Sequence, residues 1–134
     1  MLRKARPEDI EPMRQLIQAN LDKLLPRTAD ELQELQDMAW VVEEDGQIVG
    51  CCILEIYSPK IAELRSLAVR EDCRSKGYGE ILVKAAVEEA QKHKVRQVLV
   101  VTSSPEFFQK QNFGACLDEK YALFWMGNSG DKSN

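Results

Sequence analysis

Two kinds of chemistry stand in the stretch Ala62–Gly79, whose residues read A-E-L-R-S-L-A-V-R-E-D-C-R-S-K-G-Y-G. Its second half, Arg74-Ser75-Lys76-Gly77-Tyr78-Gly79 and on to Glu80, is the mouth of a helix. A helix start leaves backbone amides without partners and carries the positive end of the dipole. Glycines at 77 and 79 let a large anion approach the main chain with no Cβ in the way. Arg74 and Lys76 add positive charge to a chain whose net charge is −4. Together they suit a pyrophosphate, although a purely structural turn uses the same residue types. Two other phosphate loops are excluded: G-x-x-x-x-G-K-[ST] is absent, and the dinucleotide pattern G-x-G-x-x-G fails at Leu82. In the first half, Glu63 is one carboxylate among mostly apolar neighbours, a group able to accept a proton. Arg65, two residues on and on the same strand face, offers it an ion pair instead.

The elements that must position these groups follow from periodicity. Leu2–Arg6 reads as a short edge strand. Pro7-Glu8-Asp9 opens a helix to about Leu21, with Ile10, Met13, Leu16, Ile17 and Leu21 on one face. Pro12 is tolerable there only if the helix begins late or kinks. Leu24-Leu25-Pro26-Arg27 breaks the pattern, and Thr28 with Glu31 is a capping box for a second helix. Ala39–Val42 is a strand, Asp45-Gly46 a hairpin turn, Gln47–Tyr57 a long strand ended by Pro59, and Ile61–Val69 the next, which makes an antiparallel meander. From Gly79 the period becomes helical, with Lys92-His93-Lys94 in the last turn. Val95–Thr102 is an apolar run typical of a buried strand, joined by a right-handed crossover that sets it parallel to its predecessor. Ser103-Ser104-Pro105 caps another helix in which Phe107 and Phe108 pack inward. Asn112 stands where a left-handed helix end is needed. Tyr121–Met126 reads as a last strand.

With 134 residues the chain fits one domain, taken here as 1–127 with a polar tail at 128–134. The acidic balance argues against a general nucleic-acid partner. No apolar run is long enough for a membrane span, and Met1–Pro7 has no apolar core behind its basic residues, so the expected location is the cytoplasm. Cys51, Cys52, Cys73 and Cys116 form no C-x-x-C pair, and His93 is the single histidine. They read as reduced structural thiols with no metal site.

Arg74, Gly77 and Gly79 match [RQ]-x-x-G-x-[GA], so the segment resembles the acetyl-coenzyme A signature of the GNAT superfamily of N-acetyltransferases. The element order is similar to that fold, and Phe107–Gly114 looks like its F-Y-x-x-x-G-F segment. The resemblance covers roughly Leu2 to Met126. Within the superfamily the chain looks most like the acetyltransferase domain of N-acetylglutamate synthases and their short stand-alone relatives, on Leu25–Thr28, Ala62–Val69 and Val100–Phe108. The 134 residues contain no amino-acid-kinase domain of the kind that the long forms carry.

The resemblance implies an α/β (α+β) fold, a mixed, mostly antiparallel sheet of six to seven strands flanked by about four helices. It implies acetyl-CoA as co-substrate and direct attack of a primary amine on the thioester. The amine belongs to a small molecule, such as an amino acid. Glu63 matches the base. The backbone of Leu67, Ala68 and Val69 would bind the pantetheine arm, and the amides from Ser75 to Glu80 the pyrophosphate. Arg27 is the candidate for a substrate carboxylate, and Ser103 lines the acceptor side, where some N-acetylglutamate synthases have arginine. Phe108 departs from the pattern: family members often carry a tyrosine there to protonate the leaving thiolate, with Tyr121 and Tyr57 as substitutes here. That departure keeps open a catalytically silent acyl-CoA-binding module. A protein amine as acceptor is a third reading, and exposed strands near the C-terminus would suit a homodimer.

Overall fold

The computed structural model describes residues 1–114 together with Leu123, Trp125 and Gly127. Most of the expected strand Tyr121–Met126, the polar tail and Cys116 lie outside the described residues. Within them the elements are β1 (Leu2–Lys4), α1 (Ile10–Gln18), α2 (Ala29–Leu35), β2 (Ala39–Glu44), β3 (Gln47–Ile56), β4 (Ile61–Val69), α3 (Tyr78–Lys92), β5 (Gln97–Leu99) and α4 (Pro105–Gln109). The sheet runs in the order β1-β2-β3-β4-β5. All neighbours are antiparallel except β4 and β5, which the α3 crossover makes parallel. The described strands number five against the six to seven expected, and four α-helices flank them.

Local chemistry explains the boundaries. A 3-10 turn at Pro7–Asp9 precedes α1, so the helix begins late and Pro12 falls in its first turn, where no amide is lost. α2 starts on a closed capping box: Thr28 Oγ1 accepts from the Glu31 amide at 3.1 Å, and Glu31 Oε1 from the Thr28 amide at 3.0 Å. Asp45 and Gly46 both have positive φ (52° and 77°), the turn that matches strand twist. Asn112 closes the end of α4 at φ 69°. The serine cap of α4 takes another form: the Ser104 amide donates to Thr102 Oγ1 at 2.9 Å, and the Ser104 side chain caps nothing.

The sheet has a core on each face. Met13, Leu16, Ile17 and Leu32 of α1 and α2 pack on Val41, Cys51, Ile53 and Ala68. Leu82, Val83, Ala86 and Ala90 of α3 pack on Trp40, Val42, Cys52, Leu54 and Leu64. At Gly50 a Cβ would stand 3.2 Å from Leu82, so the glycine lets α3 lie close against the sheet.

Two bulges break the side-chain alternation. Opposite the Val42–Glu43 step of β2, β3 carries one extra residue, so Val49 joins the α3 side. In β4, Cys51 pairs with Ala68 but Ile53 with Arg65, one extra residue on β4. The extra residue lies beside Ser66, whose φ is +55°. Before this bulge Ala62 and Leu64 face α3; after it Leu67 and Val69 do, while Ala68 turns to α1 and α2.

One expectation is corrected. The apolar run Val95–Thr102 is strand only over Gln97–Leu99, and Leu99 and Val101 are exposed (42% and 76%) rather than buried. β5 is the edge strand of the described sheet, so only its inner face meets the core.

Candidate active site

β4 and β5 pair only at Ile61–Glu63 with Gln97–Leu99. Beyond that joint they diverge, and the second half of β4 keeps β3 as its one strand partner among the described residues. The wedge between them is a cleft of about 820 Å³. It is walled by β4, the segment from Val100 to Ser104, the start of α3, the loop Asn20–Arg27 and Phe107-Phe108.

Most sequence-derived candidates converge here. Glu63, Arg27, Ser103, Leu67, Ala68, Val69, Arg74, Ser75, Gly77, Gly79 and Glu80 all line the cleft. Lys76 and Tyr78 do not. Lys76 Nζ lies 3.1 Å from both Glu44 oxygens, and the Tyr78 hydroxyl donates to Glu44 Oε2. These two side chains clasp the tip of β2 and leave only their main chain near the cleft.

The two glycines do different work. Gly77 caps α3 in the left-handed conformation (φ +82°), and nothing lies within 4 Å of where its Cβ would be. Gly79 has no unusual torsion; a Cβ there would stand 3.1 Å from Phe107 Cζ, so it makes room for α4. Ser75 and Lys76 close a 3-10 helix, Glu71–Lys76, which bonds its own amides. The amides free by helix geometry are those of the first turn of α3, from Tyr78 onward. Arg74 braces this loop: its Nε donates to Val69 O at 3.1 Å and its Nη2 to Asn20 Oδ1 at 2.7 Å. Asn20 is itself buried and donates to Leu16 O at 2.8 Å, which ties the end of α1 to the loop.

At the other end of the cleft, the Arg27 side chain is only 8% exposed, which sets aside a solvated loop arginine. Its Nε donates to Ser66 Oγ at 3.2 Å, while Nη1 and Nη2 stand 3.5 Å from Glu31 and Glu55. Nη2 is buried without a geometrically formed hydrogen bond. A buried donor of this kind is costly unless something arrives to accept from it. Glu63 does not take Arg65 as its ion-pair partner: Arg65 Nη1 bonds Glu55 Oε2 at 3.1 Å. Glu63 Oε1 instead accepts from the Tyr57 hydroxyl at 2.6 Å. Partial desolvation of a ring that is still half exposed, then that hydrogen bond, pushes the Tyr57 phenol up to about 12. Phe108 is buried, edge-on to Phe107 and Phe113. Cys73 is buried too, and burial followed by its contact with Asp72 pushes its thiol up, against a reactive role.

Sequence reasoning missed Ser66, Glu55, Asn20 and Glu44. Glu55 had a signal: counting back from the turn at Pro59 sets it directly across from Glu63. Ser66 had none, since a bulge leaves no residue signature in an alternating strand.

The site is thus a glycine-capped helix mouth beside a splayed parallel strand pair. The acetyltransferase (GNAT) family model matches residues 8–113, and the chain belongs to that family. An uncharacterized N-acetyltransferase of Chlorobaculum tepidum is 36% identical over 90 residues, 67% of this chain and 58% of the relative. An amino-acid acetyltransferase of Mycobacterium tuberculosis is 29% identical over 117 residues, 84% of this chain and 67% of the relative. Among solved structures, a Mycobacterium tuberculosis protein in complex with CoA and NLQ superposes with a TM-score of 0.81 at 28% identity, over 84% of this chain and 70% of that one. An N-acetylglutamate synthase of Neisseria gonorrhoeae, complexed with coenzyme A and L-arginine, gives 0.76 at 26% identity, over 91% of this chain and 29% of that one. The chain thus spans little more than half of the Chlorobaculum relative.

Proposed function

We propose that this chain is an acetyl-CoA-dependent N-acetyltransferase whose acceptor is a small primary amine carrying a carboxylate, such as an amino acid. The observation that carries the reading is the placement of the Gly77-capped mouth of α3, the open half of β4, Glu63 and the buried Arg27 around one cleft. Solved relatives hold CoA, which supports the same donor here. A catalytic domain acting on small metabolites fits a cytoplasmic location.

The first-turn amides of α3 hold the pyrophosphate with the help of the dipole. The unpaired edge of Leu67–Val69 offers main-chain groups to the pantetheine arm. Arg27 Nη2 takes the acceptor carboxylate. Glu63 removes a proton from the acceptor ammonium, directly or through water. The neutral amine then attacks the thioester carbonyl; the new C–N bond forms as the C–S bond breaks, the electron pair leaves on sulfur, and the nitrogen sheds its second proton to solvent to give the neutral amide. With Phe108 unable to give a proton, the thiolate departs unaided, as its modest basicity allows.

Phe108 also favours one rival, a silent acyl-CoA-binding module. Calorimetry with acetyl-CoA and the variant Gly77→Glu tests the donor site. A Cβ there meets no neighbour, so the variant carries only the strain of a side chain at left-handed φ while its carboxylate shuts out the coenzyme, and circular dichroism checks that it folds. Full binding by that variant refutes the pyrophosphate placement. Free thiol released across a panel of amino acids, polyamines and peptides separates enzyme from module. Glu63→Gln is expected to lose on the order of 10²-fold in rate at neutral pH, and less at alkaline pH, where more amine is already neutral. An unchanged pH–rate profile counts against Glu63 as base.

A further inference from the structure

Glu55 and Glu63 stand directly opposite each other in the β3–β4 register. Like charges at such a position destabilise a sheet. The surrounding groups deal with the two carboxylates unequally. Arg65 and Arg27 both turn to Glu55 Oε2, at 3.1 and 3.5 Å. Arg65 feels the charge of Glu63 but closes its ion pair on Glu55. Glu63 receives a neutral donor, the Tyr57 hydroxyl, on Oε1. No ion pair reaches it among the described residues. On its other side, β5 places Leu99 in register with it, and Val100–Ser104 carry no titratable group. Arg27 is also engaged with Glu31, and the other charged residues lining the cleft are Lys23, Arg74 and Glu80.

We propose that Tyr57 is a positioning residue for Glu63: its hydroxyl fixes Oε1 without supplying an opposing charge, so that the carboxylate lines the cleft with no ion-pair partner among the described residues. The acceptor ammonium is the cation that fits. This rests on Glu63 being the proton acceptor. A lysine or arginine at position 57 would satisfy the carboxylate and compete with substrate, whereas a phenol does not. The hydroxyl keeps its proton throughout, because partial desolvation and the same hydrogen bond oppose its ionisation.

The test compares Tyr57→Phe with Glu63→Gln. Tyr57 is 54% exposed, so the phenylalanine variant folds. Without ligand, ultraviolet titration of the tyrosines is expected to show Tyr57, assigned by its loss in Tyr57→Phe, ionising at lower pH in Glu63→Gln. An unmoved titration removes the bond on which the proposal stands. With acetyl-CoA and the amine panel, Tyr57→Phe is expected to lower kcat about tenfold with KM for acetyl-CoA unchanged, the effect of one hydrogen bond to a charged group, and to displace the acid limb of the kcat/KM profile, which a merely structural role would not move. If Glu63→Gln abolishes that limb and Tyr57→Phe leaves it in place, the positioning role is wrong and the base stands. If Glu63→Gln leaves the limb, the base reading itself fails.

Discussion

At the scale of single residues, the site shows how like residues acquire unlike tasks. Gly77 and Gly79 read identically in sequence, as a bare approach for an anion. The structure gives Gly77 a torsional reason, its left-handed φ, and Gly79 a packing reason against Phe107. A double-mutant cycle separates them. Gly77→Ala is expected to cost about 1–2 kcal/mol from backbone strain, and Phe107→Ala does not relieve it. The loss from Gly79→Ala is expected to shrink in the Phe107→Ala background, because the colliding atom is the ring itself. Thermal or urea unfolding of the three single and two double variants measures both. Arg27 was legible as a cation in a loop, but not as a buried one. Its burial depends on Ser66, which the bulge turns toward it, and no residue pattern marks that bulge.

At the scale of elements, caps and turns were the best-read features. Thr28–Glu31, Asp45-Gly46 and Asn112 all fall where their side chains and torsions predict. The reason is that such signals are local: the residues that satisfy the amides are neighbours in the chain. The long-range clasp of Lys76 and Tyr78 on Glu44 was not legible, because it spans more than thirty residues. A cap also has a functional side here. Thr28 starts α2 and is the neighbour of Arg27, so Thr28→Ala is expected to cost about 1 kcal/mol and to raise KM for a carboxylate-bearing acceptor while leaving KM for acetyl-CoA unchanged. Denaturant unfolding and steady-state kinetics check the two halves.

At the scale of the molecule, the β2–β3–β4 meander and the parallel pairing of β5 with β4 were legible from the hairpin signals and the crossover rule. What the apolar run at Val95–Thr102 could not tell is how much of it pairs, since pairing and splaying use the same residues. The far end of the sheet supplies an acid-sensitive anchor. Asp9 is buried; burial alone would push its carboxyl up, but the Arg3 guanidinium at 2.6 Å and the Arg6 amide outweigh it and hold it below the ordinary range. A carboxyl lowered by folding contributes stability above its unfolded value, near 3.9, and loses it as pH falls through the lower folded value. The melting temperature of Asp9→Asn is therefore expected to lie below that of the natural chain at neutral pH, with the gap closing as pH falls below about 4. Calorimetric melts across acid pH read this directly.

The divergence of β4 and β5 has one more consequence. A bare strand edge normally invites foreign chains to add themselves, which is how sheets aggregate. Here the half of β4 with a single strand partner among the described residues lies inside a wedge closed at one end, where Ile61–Glu63 meets Gln97–Leu99. Its main-chain groups line a cleft rather than an open rim, so an extended arm reaches them more readily than the edge of another protein's sheet.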